Sequence, residues 1–178
     1  MTMPAGKVRL LRQDDVAWIG IEGRATLLHS PAVRAFGRYW LRDRGGTLLL
    51  DLSACHHLDS TFVGTLLYLQ REQQRGGRGR LGLANVSPAC LRLLREMGVK
   101  DLFELVESPA VPQGDWTTLD PETGGSSQVR ACAVEAHQAL AAVVGGVFSR
   151  IAECLPPSPN DPTPHPSSSS DAPAKEKT

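Results

Sequence analysis

The stretch Asp51-Leu52-Ser53-Ala54-Cys55-His56-His57-Leu58-Asp59-Ser60-Thr61-Phe62-Val63-Gly64 joins two periodicities. Leu48-Leu49-Leu50 leads into it as a continuous aliphatic run, the pattern of a strand buried on both faces. Val63, Leu66, Leu67 and Leu69, mixed with Gln70, Arg71 and Glu72, lead out of it at helical spacing. The implied order is strand, short loop, helix. Asp59-Ser60 stand at the helix start, where free backbone N–H groups favour an oxygen-bearing cap. Either residue can serve as that cap, and Ser60 also offers a hydroxyl for modification.

Working outward, Val8 to Leu11 and Val16 to Gly23 form an opening β-hairpin across Gln13-Asp14-Asp15. Ser30-Pro31 supplies an N-cap and a first-turn proline for a helix carrying Val33, Phe36, Trp40 and Leu41, stopped by Gly45-Gly46. Arg80 to Val86 alternates as a short strand. Ser87-Pro88 repeats the cap signal, Leu91, Leu94 and Met97 follow, and Gly98 ends that helix. Leu102 to Val106 reads as a last strand. The order is β-β-α-β-α-β-α-β, an α/β fold with a mixed, mostly parallel sheet and helices on one face. Residues 7–107 form this domain and 108–125 a linker. Residues 126–155 are an amphipathic helical extension with a kink expected at Gly145-Gly146. The Pro- and Ser-rich residues 156–178 are expected to be disordered.

Composition narrows the function. The 178 residues carry 19 Lys and Arg against 19 Asp and Glu, a net charge of zero, which argues against a nucleic-acid binder. Arg75-Gly76-Gly77-Arg78-Gly79-Arg80 lacks interleaved aromatics and precedes a strand, so it is a solvated turn rather than a stacking platform or a phosphate cradle. The four cysteines are widely spaced and no secretion signal is visible, so a reducing cytoplasm is expected. The longest apolar run falls short of the roughly 20 residues of a membrane span.

Leu48-Leu49-Leu50-Asp51-Leu52, Asp59-Ser60-Thr61 and Gly64, followed by Gly76-Gly77, Leu81 to Pro88, Leu91, Leu94, Met97-Gly98 and Leu102-Phe103, resemble the STAS family, sulphate transporter and anti-sigma factor antagonist. The resemblance implies a freestanding antagonist that works by partner switching in transcription regulation, without catalysis or a cofactor. It binds a kinase-type anti-sigma factor, is released when that partner phosphorylates it, and is reset by a PP2C-type phosphatase. Ser60 matches the phosphoacceptor, with Thr61 the weaker candidate. Asp59, Ser60, Thr61, Phe62 and Val63 match the partner surface, and Gly64 the first-turn glycine. The chain departs from the commonest form of the motif at Phe62, where a glycine is usual. A ring there is expected at the docking surface, as an anchor or as an obstacle.

Phosphorylation adds about −1.5 to −2 charge at pH 7. A helix N-terminus tolerates that charge, whereas a packed interface beside Asp59 does not. Two alternatives remain. One is an accessory STAS subunit bound to the ATPase of a lipid-transport ABC system. The other is a metal- or small-molecule-binding site at Cys55, His56 and His57, with Asp59 as a fourth group or His56 as base to a Cys55 nucleophile. His29 and His137 read as ordinary surface or half-buried residues. The apolar stripe of the C-terminal helix predicts packing against the sheet or the first helix, or a homodimer contact.

Overall fold

The computed structural model describes residues 6–76, 78–107, 112–119 and 126–144. The tail after residue 155 and the kink at Gly145-Gly146 lie outside them.

Two strands open the chain, β1 (Lys7–Gln13) and β2 (Val16–Ala25), paired antiparallel from Gln13↔Val16 to Lys7↔Glu22. Asp14 turns the hairpin with φ at +50°. Helix α1 (Ser30–Arg38) follows and widens into a π-helical turn, Tyr39–Arg44, closed by Gly45. The N-cap is His29, one residue earlier than expected, and it gives no side-chain cap. His29 instead accepts from the Thr26 N–H at Nδ1 (3.1 Å) and donates from Nε2 to the Gly6 carbonyl (3.1 Å), so the β2–α1 loop is tied to the chain before β1.

β3 (Thr47–Asp51) runs parallel between β2 and β5 (Arg80–Ala84), in register Ala17↔Leu48↔Leu81 and Ile19↔Leu50↔Leu83. The sheet order is β6-β5-β3-β2-β1-β7, with β6 (Leu105–Val106) at one edge and β7 (Thr117–Thr118) at the other. α3 (Pro88–Glu96) starts at Ser87, whose hydroxyl accepts from the Cys90 N–H. It ends before Gly98, whose φ of +68° is one that a side chain disfavours.

Alternation explains the layers. Ala17, Ile19, Ile21, Leu48, Leu50, Leu81 and Leu83 all point to the helix side. There they meet Val33, Leu41, Phe62, Leu66, Leu69 and Leu94 in the main core. Among the described residues, the opposite face has a small cluster of Leu11, Trp18, Ala84, Val16, Leu49 and Trp116. β3 is therefore fully covered on one face and half covered on the other, not buried on both as its aliphatic run implies.

Further differences have local causes. The loop after β3 contains a strand, β4 (Cys55–Leu58), parallel to the end of β2 at Gly23–Ala25. β2 is ten residues long and outruns β3, which leaves its last backbone groups for β4 to pair. The last expected strand shrinks because Lys100–Leu102 coil into a 3-10 turn. Part of the expected linker is a strap: β7 pairs with β1, Leu119 N–H donates to the Val8 carbonyl (2.9 Å), and Trp116 packs over Gly20. Finally α4 (Ser126–Val144) lies mainly on α2 (Ser60–Gly76) and also touches α1.

Candidate functional site

Asp59 follows β4 and caps α2. Its Oδ1 accepts from the Phe62 N–H (2.7 Å), the bond that a first-turn amide needs. Its Oδ2 accepts from the Leu27 N–H (2.8 Å), which pins the loop between β2 and α1 to the helix start. The Asp59 N–H continues the β4 pairing by donating to the Ala25 carbonyl. Asp59 is thus fully engaged by backbone, and its position beside Ser60 follows from capping.

Ser60 opens the helix without serving as its cap. Its Oγ lies 3.1 Å from His137 Nε2, on α4, 77 residues later. His137 Nδ1 lies 2.7 Å from the Ala133 carbonyl. A carbonyl only accepts, so Nδ1 carries the proton, and in the neutral ring Nε2 accepts from the Ser60 hydroxyl. Ser60 is half-buried beneath α4. One turn further on, a Cβ at Gly64 would stand 2.3 Å from Ala136 Cβ and 2.4 Å from its Cα, so the two helices touch backbone to backbone. At the margin Arg34 of α1 is ion-paired with Glu135, and its guanidinium lies 3.8 Å from the centre of the Tyr68 ring.

The residues of the expected partner surface are unequally exposed. Phe62 and Val63 are both 0% exposed and belong to the main core. Thr61 is buried as well. Phe62 presents no ring to a partner, either as anchor or as obstacle, because its place on the helix turns it toward the sheet. Of the five expected contact residues, Asp59 and Ser60 alone keep partial exposure. Thr61 is correspondingly poor as a second phosphoacceptor.

Cys55, His56 and His57 diverge. Cys55 is buried, donates from Sγ to the His57 carbonyl (3.3 Å) and faces Cys90, whereas His56 is exposed. Hydrogen bonding with Cys90 and then burial push the Cys55 thiol well above its usual range, unfavourable for a nucleophile. Among the described residues, no group of at least three metal-capable side chains comes together. No described helix is long and apolar enough to cross a membrane.

Sequence reasoning missed His137, which it set aside as an isolated histidine. A signal was there: His137 lies four residues after Ala133 and three before Leu140, so it shares the side of the helix that carries the apolar stripe. A polar side chain in such a stripe needs a partner when the stripe is buried.

The family model described as Mlab, STAS domain matches residues 8–107. Among solved structures, the chain is similar to the unphosphorylated anti-sigma factor antagonist SpoIIAA, with 20% identity over 57% of this chain and 87% of that one and a TM-score of 0.48. The phosphorylated form of the Bacillus cell fate determinant SpoIIAA matches at 20% identity, 57% and 90% coverage and a TM-score of 0.45. An anti-sigma factor antagonist from Mycobacterium paratuberculosis matches at 21% identity, 60% and 88% coverage and a TM-score of 0.46. No curated protein matches the chain. The family model spans more than half of the sequence and covers every element from β1 to β6: the chain belongs to the STAS domain family.

Proposed function

We propose that this STAS domain is a protein-binding switch of the anti-sigma factor antagonist type, acting by association and not by catalysis, with Ser60 as its phosphoacceptor. The observation that carries the reading is the division of labour at the start of α2. Asp59 does the capping with both oxygens, so the Ser60 hydroxyl is not needed to hold its own helix. Its one described side-chain bond reaches across to α4. A hydroxyl that its own domain can do without, at a helix N-terminus that tolerates added charge, suits a reversible modification. The partner is a kinase-type anti-sigma factor, and a PP2C-type phosphatase reverses the step.

The test uses the full chain. After incubation with native lysate and ATP, a mass increase of one phosphate on the peptide carrying Ser60 is expected. Wild type and Ser60→Ala should retain a kinase-type partner and Ser60→Asp should lose it. Equal retention by all three removes the switch.

A second reading is favoured by the description of the matching family model as Mlab-type. In it the chain is an accessory subunit held on the ATPase of a lipid-transport ABC system. That role predicts stable co-purification with an ATPase in all three variants and no phosphate at Ser60.

A further inference from the structure

We infer that α4 is a built-in cover over the partner face of α2, closed in the isolated chain and displaced by a partner helix that brings small residues to Gly64 and a carboxylate to Arg34. The inference rests on the reading of Ser60 as the switch.

The cover lies where a partner would dock. α4 sits over Ser60 through His137 and over Gly64 through Ala136. Nothing else fits between the helices at Gly64, since a single added methyl would collide with the Cβ, Cα and carbonyl oxygen of Ala136 at 2.3–2.6 Å. A phosphate on the Ser60 oxygen would have to share the space now filled by the His137 ring.

The hold of α4 is also light. Its described fully buried apolar residues are Ala136, Ala139 and Leu140, so one large side chain enters the main core. α2 contributes Phe62, Val63, Leu66, Leu67 and Leu69 to the same core. The polar attachments include the Ser60–His137 bond, the Arg34 bond to the Cys132 carbonyl (3.5 Å) and the Arg34–Glu135 pair, whose Glu135 side chain is 57% exposed. An element that adds one large side chain to the core and is otherwise held by a few polar bonds opens before the rest of a domain does.

With α4 lifted, α1 and α2 present a hydroxyl, a glycine that admits close backbone approach, an aromatic ring and an arginine no longer paired with Glu135. A helix with a small-residue face and an acidic residue beside it matches that surface, because that is what α4 supplies through Ala136 and Glu135.

The experiment reads the cover directly in the full chain. Ser60→Cys serves as reporter, and its labelling by N-ethylmaleimide is followed on the peptide carrying residue 60, alone and combined with Gly64→Ala. Ala favours helix over Gly, so this substitution should expel α4 without weakening α2. Ala136→Leu wedges the same contact from the other side and serves if Gly64→Ala folds poorly. Amide exchange is measured in parallel. The expected result is labelling faster by about tenfold or more, the ratio for ~1.4 kcal/mol of lost closure, with rapid exchange over residues 126–144 and unchanged protection of β2, β3 and β5. Unchanged labelling in both wedge variants overturns the cover. Loss of protection in the sheet together with α4 also overturns it, since α4 would then be part of the core. If labelling rises and the Gly64→Ala chain with Ser60 intact takes no phosphate from lysate and ATP, the cover stands and the switch reading falls.

Discussion

The two ends of α2 are held in opposite ways. At its N-terminal end Asp59 is committed to two backbone amides, Phe62 is sealed in the core, and Gly64 touches the backbone of α4. At its C-terminal end Glu72, with a side chain 4% exposed, receives Arg38, Arg42 and Arg75, which are 59%, 45% and 72% exposed. The first end depends on shape and on bonds that allow one partner each. The second depends on a single buried carboxylate with three exchangeable cations around it, and Arg75 also suits the negative end of the helix dipole. A close-packed end tolerates little change, whereas an ion-paired end is redundant.

Substitutions at the two ends should rank accordingly. Phe62→Ala empties the largest volume and is expected to lower stability by about 3–5 kcal/mol, read as a shifted midpoint in urea. Asp59→Ala removes the cap of α2 and strands the Leu27 N–H, which together should cost about 2 kcal/mol. Asp59→Asn, which keeps a carbonyl acceptor for the Phe62 amide, should recover part of that loss in a thermal melt. A cost below that of the C-terminal substitutions would reverse the ranking.

At the other end, Glu72→Leu should stay within about 1 kcal/mol of wild type, because burial of an isosteric apolar side chain offsets the lost pairs. Its effect should shrink further in 1 M salt, where charges on exposed arginines are screened. Arg75→Ala should cost under about 0.5 kcal/mol, since Glu72 keeps two other arginines and exposed pairs contribute little. A loss near 2 kcal/mol for Arg75→Ala would mean that the three cations act as a unit.

The Arg75 end also shows why a turn read from sequence was incomplete. Arg75 to Arg80 looked like an isolated solvated run. The fold brings the π-helical turn Tyr39–Arg44 beside it, with Arg42 against Gly76 and Arg78 against Gly45. Those approaches depend on how far α1 runs before Gly45 stops it. That length was legible; its neighbour across the fold was not. β4 was hidden for a similar reason. Cys55-His56-His57-Leu58 has no strong strand pattern, and it is extended because β2 leaves backbone groups free beside it. The helix-facing core residues of β2, β3 and β5 were legible, since alternation is a property of the strand itself.

At Asp59-Ser60-Thr61-Phe62-Val63-Gly64 the division is sharp. The sequence alone determined that a helix starts here, that an acidic residue stands ready to cap it and that a hydroxyl follows, because these facts involve groups within one turn of each other. The tertiary structure decided which of them face outward. Phe62 and Val63 are sealed in the core by the elements packed on α2, and Ser60 meets His137 because Gly64 lets a helix from the far end of the chain approach to backbone contact. Local bonds can be read from neighbouring residues, but the direction of a side chain around a helix acquires meaning only when the surfaces packed against that helix are in place.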